Sequence, residues 1–284
     1  MSEPAPGSAR RRAAVLGHPI AHSVSPVLHR AAYAALGLDW TYEAVDVSAD
    51  GLEDFLGTVD DRWAGLSLTM PLKHTVLPLL DHVEPLAEVV GAVNTVLVQP
   101  GRRRTLIGAN TDVYGIVAAL AEAGVRSARR AVILGGGATA ASSLAAQAQL
   151  GCTTPRVLVR STGRIGPLLR AAHRMGVDPR PGSLDADLPA ELTAADVVIS
   201  TLPAHAADPV AAALAGSRVL GAALDCAYEP RPTALTVAWT AAGGLAVSGE
   251  RMLLHQAAEQ VRLMTGRPAP VERMDAALAG VMSP

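Results

Sequence analysis

Four short stretches hold the side chains with chemistry to offer, and each falls where a strand ends or a helix begins. In Gly65-Leu66-Ser67-Leu68-Thr69-Met70-Pro71-Leu72-Lys73 a strand closes at Thr69, and Lys73 opens a helix whose other residues are apolar. An ammonium at a helix N-terminus opposes the helix dipole, so this lysine is either a solvated surface group or one placed for a task. Gly108-Ala109-Asn110-Thr111-Asp112 ends on a carboxylate that reads as the N-cap of the following helix or as a functional acid. Gly91-Ala92-Val93-Asn94-Thr95 sets Asn94 at the start of a strand, where its amide can donate to or accept from a hydroxyl. In residues 17–26 (GHPIAHSVSP) Ser25 has the form of an N-cap followed by proline. Ser23 and Ser25 also set two hydroxyls beside a helix N-terminus, a place suited to a carboxylate. His18 and His22 are four residues apart, but Pro19 and the turn oppose a helical metal pair, and no metal site is expected.

A fifth stretch, AVILGGGATAASS from Ala131 to Ser143, is a buried strand, a glycine turn and an Ala-rich helix. Gly135, Gly137 and Ala140 fill the G-x-G-x-x-G/A pattern, in which glycines allow a tight turn and close approach of backbone to a pyrophosphate. The free N–H groups of the helix start then face the phosphates. An ordinary βα turn has the same form, so the end of the next strand matters. There the chain carries Arg160 and, four residues on, Arg164, where a site for NAD has a carboxylate for the ribose hydroxyl. Guanidinium groups hold a 2′-phosphate that a carboxylate would repel. The cofactor read from these residues is NADP(H), with Arg160 and Arg164 as the clamp.

Alternating strands and helices must position these groups. Strands are expected at 13–17, 41–47, 63–69, 94–98, 105–108, 131–134, 156–159, 195–200, 219–225 and 245–247, with helices between most of them and two more at the end. Such βα alternation predicts an α/β protein of two domains with helices covering open sheets. The first is an N-terminal open α/β substrate domain (13–112 plus 250–284), and the second a Rossmann-type NADP-binding domain (113–249). The C-terminal helices pack back on the first, residues 1–12 form a flexible tail, and the substrate lies in the cleft between the domains. Half the residues of this 284-residue chain are hydrophobic, enough for sizeable cores, and the net charge of −2 speaks against nucleic acid as a partner. Arg10-Arg11-Arg12 and Arg102-Arg103-Arg104 read as solvated charge. No apolar run suits a signal peptide or a membrane span, and Cys152 and Cys226 cannot make a disulfide framework. A cytoplasmic protein with no membrane partner, a monomer or homodimer, is expected.

Taken together, GHPIAHSVSP, SLTMPLK, GAVNT and GANTD resemble the shikimate dehydrogenase family. The likeness continues through GGGATA, Arg160-Ser161, DCAYEP (225–230) and GERMLLHQ (249–256), in order, from about residue 14 to 266. The resemblance implies NADP-dependent, reversible reduction of 3-dehydroshikimate to shikimate, a step of chorismate and aromatic amino-acid biosynthesis. It implies that Ser23 and Ser25 hold the substrate carboxylate and that Thr69, Asn94, Tyr228 and Gln256 hold the ring substituents. Lys73 and Asp112 would be the catalytic pair. On the cofactor side it implies Gly135, Gly136, Gly137, Ala138, Thr139, Arg160, Ser161 and Arg164, with Cys226 and Gly249 flanking the nicotinamide. The sequence departs from the family pattern at Ser67 and Arg30, where many members carry Asn, and at Val159, where Asn often stands. Quinate or aminoshikimate oxidation is the alternative within the family, and a non-catalytic NADP-binding sensor the alternative outside catalysis.

Overall fold

The structure is a computed structural model that describes residues 10–184 and 188–282. They divide into two compact units. One is formed by the residues up to Glu88, Ala92–Thr111 and the chain from Gln256 on, and the other by Val89–Gly91 and Asp112–His255.

In the first unit the chain runs β1 (Arg12–Gly17), α1 (Ser25–Ala35), β2 (Thr41–Asp46), α2 (Leu52–Gly57), β3 (Trp63–Leu68) and α3 (Leu72–Thr75). It continues with β4 (His82–Val83), α4 (Pro85–Val90), β5 (Thr95–Gln99) and β6 (Thr105–Ala109). The sheet order is β2-β1-β3-β5-β6-β4. β1 pairs in parallel with β2 and β3, while β5 is antiparallel to both β3 and β6. A hairpin around Pro100-Gly101 turns this otherwise parallel sheet into a mixed one, since a short loop can join only antiparallel neighbours. Leu16, Leu66, Leu68, Leu72 and Val96 are among the buried residues of one core cluster in this unit.

The second unit carries α5 (Asp112–Glu122), β7 (Ala131–Leu134), α6 (Ala138–Gln149), β8 (Arg156–Val159), α7 (Gly166–Arg174), β9 (Arg180–Ser183) and α8 (Leu188–Ala194). Then come β10 (Val197–Ser200), α9 (Asp208–Ala213), β11 (Ala222–Asp225), α10 (Ala234–Ala241), β12 (Leu245–Ser248) and the first turns of α11 (Gly249–Thr265), whose residues from Gln256 on belong to the first unit. Its six strands are all parallel in the order β12-β11-β10-β7-β8-β9. The order reverses between β7 and β10, the switch point at which such sheets bind ligands. Val132, Leu134, Leu158, Val198 and Trp239 lie in the core over which helices pack. The last helix, α12 (Val271–Met282), belongs to the first unit and packs on α1 through buried Met274 and Leu278.

Asp112 opens α5, and Glu122 of α5 binds Arg251 (2.6 Å) and His255 (3.1 Å), which keeps the first turns of α11 with α5. Two other points depart from the sequence reading. The edge strands β4 and β9 carry no alternating apolar pattern, and β9 contains a proline, so hydrophobicity does not announce them. The basic segment at the start is not a tail throughout. Residues 1–9 lie outside the described residues, but Arg12 begins β1, its guanidinium 4.3 Å from the centre of the Trp63 ring. Arg11 donates to the carbonyls of Trp63 and Val98 (3.2 Å to the latter) and lies over the Trp40 ring. Desolvation lowers its pKa. Arg104 likewise donates to the Leu56 carbonyl.

Arg11→Ala should therefore lower the unfolding free energy of this protein by about 1–2 kcal/mol in urea titration, by loss of charge-assisted hydrogen bonds and of the stacked contact. Arg10→Ala, at an exposed coil position, should change it by less than about 0.5 kcal/mol.

Candidate active site

Sheet register gathers the first set of candidates. Ser67 of β3 lies opposite Thr95 of β5, and Thr95 opposite Ala109 of β6. The carboxyl ends of β3 and β6 therefore meet the amino end of β5, which brings Thr69, Asn94 and Thr111 to one edge of the sheet. The N–H of Thr69 donates to the Leu16 carbonyl (2.9 Å), so the end of β1 joins the same edge. Beyond it Ser25 starts α1, and its hydroxyl makes no capping bond, which corrects the N-cap reading. It is buried, and its N–H donates to Ser23 Oγ over 3.4 Å. Lys73 sits half-buried in α3, a four-residue helix too short for its dipole to oppose an ammonium, so the expected placement cost falls away. The Lys73 carbonyl accepts from the N–H of Val93 (2.9 Å), and the N–H of Thr111 donates to Asn94 Oδ1 (2.8 Å). Consecutive residues thus tie down the backbone at Lys73 and at the residue before Asp112. Asp112 itself is buried.

Asn94 is the centre of a buried network. Its Oδ1 also accepts from Thr95 Oγ1 (2.9 Å), while its Nδ2 donates to Thr111 Oγ1 (2.9 Å) and to Gln256 Oε1 of α11 (3.3 Å). One turn along α11, Gln260 donates through Nε2 to the Asn94 carbonyl (3.2 Å) and to Thr95 Oγ1 (3.1 Å). A carbonyl can only accept, so the amino end of Gln260 faces Asn94 and its oxygen faces the other way. That oxygen accepts from Ser67 Oγ (2.7 Å), which in turn accepts from the Tyr42 hydroxyl (2.6 Å). It also meets His29 Nε2 at 3.2 Å, which must then carry the ring proton. His29 stacks on Tyr42 at 3.9 Å between centroids and is fully buried. Burial drives its pKa down to about 3 against the weaker support of Gln260. Sequence reasoning missed Gln260, Tyr42 and the roles of His29, Ser67, Thr95 and Thr111. The i,i+4 spacing of Gln256 and Gln260, on one helix face, was the available signal.

The second set gathers in the other unit. Leu134 of β7, Leu158 of β8, Ser200 of β10, Asp225 of β11 and Ser248 of β12 stand in register. The residues just beyond these ends, Gly135, Arg160, Cys226 and Gly249 among them, line one edge of the sheet. Gly135 has φ +112°, and a side chain there would strike Thr201. At Gly249 a Cβ would lie 2.6 Å from the carbonyl oxygens of both Asp225 and Cys226. At Gly137, by contrast, an added Cβ meets nothing within 4 Å, and α6 begins at the next residue, Ala138, with Thr139 after it. Gly136 lies over Val159, one of the departures from the family pattern. Exposed Arg160, Ser161 and Arg164 follow β8, with Arg164 in a short 3-10 turn. Open space before a helix start, with two guanidinium groups beyond the neighbouring strand, fits the phosphates of NADP(H). Tyr228, half-buried three residues beyond β11, also belongs to this unit, and burial raises its hydroxyl pKa. Asp225, also buried, has its pKa raised by desolvation. Among the described residues no group of three or more His, Cys, Asp or Glu is gathered as for a metal, and no helix is long and apolar enough to cross a membrane.

Comparison with known proteins places the chain in a family. Residues 15–96 match the shikimate dehydrogenase substrate binding domain, and residues 249–279 the shikimate 5'-dehydrogenase C-terminal domain. The chain is 37% identical to the shikimate dehydrogenase (NADP(+)) of Moorella thermoacetica, covering 95% of this chain and 92% of that one. It is 35% identical to that of Rubrobacter xylanophilus, covering 94% of each. The chain belongs to the shikimate dehydrogenase family. Among solved structures, Mycobacterium tuberculosis shikimate dehydrogenase superposes with a TM-score of 0.85 at 40% identity, covering 95% of this chain and 99% of that one. The Thermus thermophilus shikimate 5-dehydrogenase, solved in complex with NADP(H) and shikimate, gives 0.80 at 32% identity, with 95% and 99% covered. The Ser67 hydroxyl links Tyr42 to Gln260. Arg30 donates to the Tyr42 carbonyl (2.9 Å).

His29 predicts the acid response. Unfolded, an imidazole titrates near 6.5, whereas here it does so at about 3. Between these values the unfolded chain holds the extra proton, so the stability that neutral His29 contributes is present above about 6.5 and is lost as pH falls. In urea titrations at pH 7 and 5 the wild type should lose more stability than His29→Gln. The difference should approach about 1.4 kcal/mol per pH unit, the single-proton limit. Equal losses would remove His29 as the cause.

Proposed function

We propose that this chain catalyses the reversible, NADP-dependent reduction of 3-dehydroshikimate to shikimate, with Lys73 and Asp112 handling the proton. The observation that supports it best is the junction at Asn94. There three strand ends, Gln256 and the backbone anchors of Lys73 and Thr111 converge, in a chain whose relatives are named shikimate dehydrogenase (NADP(+)). In this reading Ser23 and Ser25 hold the ring carboxylate, while Thr69, Asn94, Tyr228 and Gln256 hold ring substituents. The glycine turn with Ala138 and Thr139 takes the pyrophosphate, Arg160, Ser161 and Arg164 take the 2′-phosphate, and Cys226 and Gly249 border the nicotinamide.

When bound, NADPH supplies hydride to the ketone carbon. The protein's part is charge and protons. As the carbonyl oxygen gains negative charge, the Lys73 ammonium stabilises the transition state more than the ground state and passes a proton to that oxygen. Asp112 orients Lys73 and accepts a hydrogen bond from a ring hydroxyl. One chain supplies every group, so a monomer or homodimer suffices. With a net charge of −2 and a small-molecule substrate, we place the enzyme in the cytoplasm, without nucleic-acid or membrane partners.

Shikimate oxidation should appear as reduced-nicotinamide absorbance with NADP+, and quinate in its place should give far less. Lys73→Ala should lower kcat at least about 100-fold with KM little changed, and a variant within about threefold of wild type would remove Lys73 from the chemistry. Arg160→Ala should raise KM for NADP+ and leave that for NAD+ nearly unaltered. An equal rise for both would refute the 2′-phosphate contact.

A further inference from the structure

At the amino ends of β7, β8 and β9, the opposite end of these strands from the glycine turn, lies a cavity of about 400 Å³. Its charged lining is Arg129, Arg130, Arg156, Arg180 and Glu191, with Thr154 and small apolar residues between them. Arg156 and Arg180 are register partners on neighbouring parallel strands, so their side chains leave the same face of the sheet. Val132, the partner of Arg156 on β7, shares a core cluster with Leu188 and Leu192, so α8 covers that face. Arg156 is held in place there. Its Nε donates to Glu191 Oε1 (2.7 Å), and its Nη1 donates to the carbonyls of Arg180 (3.2 Å) and Pro181 (3.3 Å). Gly182 makes room for it, since a Cβ at that position would lie 2.8 Å from Arg156 Nη2. The loop before β7 is equally fixed, because the N–H groups of Arg129 and Arg130 both donate to Asp196 Oδ2 (2.9 Å each). Those bonds hold the Asp196 carboxyl below its usual pKa. Both nearby carboxylates are therefore already engaged. The exposed Arg129 and Arg180 side chains make no hydrogen bond or ion pair with any described residue. Like charges gathered with too few counter-charges repel one another. A bound anion relieves that repulsion.

We propose that this cavity is a second anion site, built for an oligophosphate: two or more linked phosphates, free or carried by a nucleoside. Guanidinium groups match phosphate oxygens through paired, charge-assisted hydrogen bonds, which suits arginine better than any other cation. Neighbouring strands stand about 4.8 Å apart, so arginines rooted at β7, β8 and β9 meet successive phosphates rather than crowd around one. The volume points the same way, because it exceeds what a single phosphate fills and falls within the range of small-molecule sites. Ordering costs little at Arg156, whose position is already fixed. The chain as a whole carries a net charge of −2, so the attraction belongs to this end of the sheet and not to the surface at large. None of these residues is in the glycine turn or beside Lys73, and the inference does not depend on the catalytic reading.

Isothermal titration of the full chain at low salt with inorganic triphosphate, inorganic phosphate and ATP tests this. Triphosphate should bind at least about tenfold more tightly than phosphate, the worth of one added charge-assisted contact. Arg129→Ala and Arg180→Ala should each weaken triphosphate binding by about tenfold or more. Two controls locate the site. Arg103→Ala removes the same charge from an exposed turn of the first unit and should leave triphosphate affinity unchanged. Arg160→Ala, at the carboxyl end of β8, should leave it unchanged as well. ATP binding tighter than triphosphate would assign the ligand to nucleotides, and equal or weaker binding to free oligophosphate. Absence of triphosphate binding, equal affinity for phosphate and triphosphate, or unchanged affinity in both cavity variants would overturn the proposal. So would a loss in Arg103→Ala or Arg160→Ala as large as that in Arg180→Ala. Arg129 and Arg180 side chains bond no described residue, so neither variant removes a contact of the fold, and either one alone decides.

Discussion

A polar group taken out of water costs free energy unless a partner is waiting for it, and in the first unit that demand converges on the Asn94 amide. Its oxygen and nitrogen, the Gln260 amide and the hydroxyls of Tyr42, Ser67, Thr95 and Thr111 are all bonded within the protein. Leaving one such group unmatched costs about 1–3 kcal/mol, more than a paired bond contributes. The network thus works as a lock. It holds three strands and α11 in a single register because any slip would strand several buried donors at once. Neutral His29 closes the far end, and its low pKa is the electrostatic side of the same burial.

The second unit is built on another principle. Its candidate ligand groups are backbone N–H groups, empty volume and two exposed guanidinium groups. What the fold must secure there is mainly the absence of side chains. Gly135 takes a backbone angle that other residues strain to adopt, and Gly249 sits where carbonyl oxygens leave no room for a Cβ. Parallel register does the rest, since strands that end together deliver their following loops to one edge.

The arginines near the start show how context reassigns a charge. In composition Arg11 and Arg12 belong with a polar leader, yet both guanidinium groups lie over tryptophan rings, and Arg11 also donates to the carbonyls of Trp63 and Val98. The long stem of arginine allows apolar burial while its head keeps its bonds.

From the sequence by itself came the α/β alternation, the glycine turn with its arginines, and the positions of Lys73, Asp112, Asn94, Ser23 and Ser25 at element ends. These are local matters, set by hydrophobic period, turn chemistry and short spacings. The Pro-Gly-Arg turn announced the β5–β6 hairpin. Tertiary structure alone decided that Ser25 does not cap its helix, that Asp112 opens α5, and that β5 also runs against β3. It alone joined Gln260 to residues 165 and 193 positions away in the chain. Hydrogen-bond direction in a buried network depends on which acceptor faces which donor across different elements. No spacing along one element carries that information.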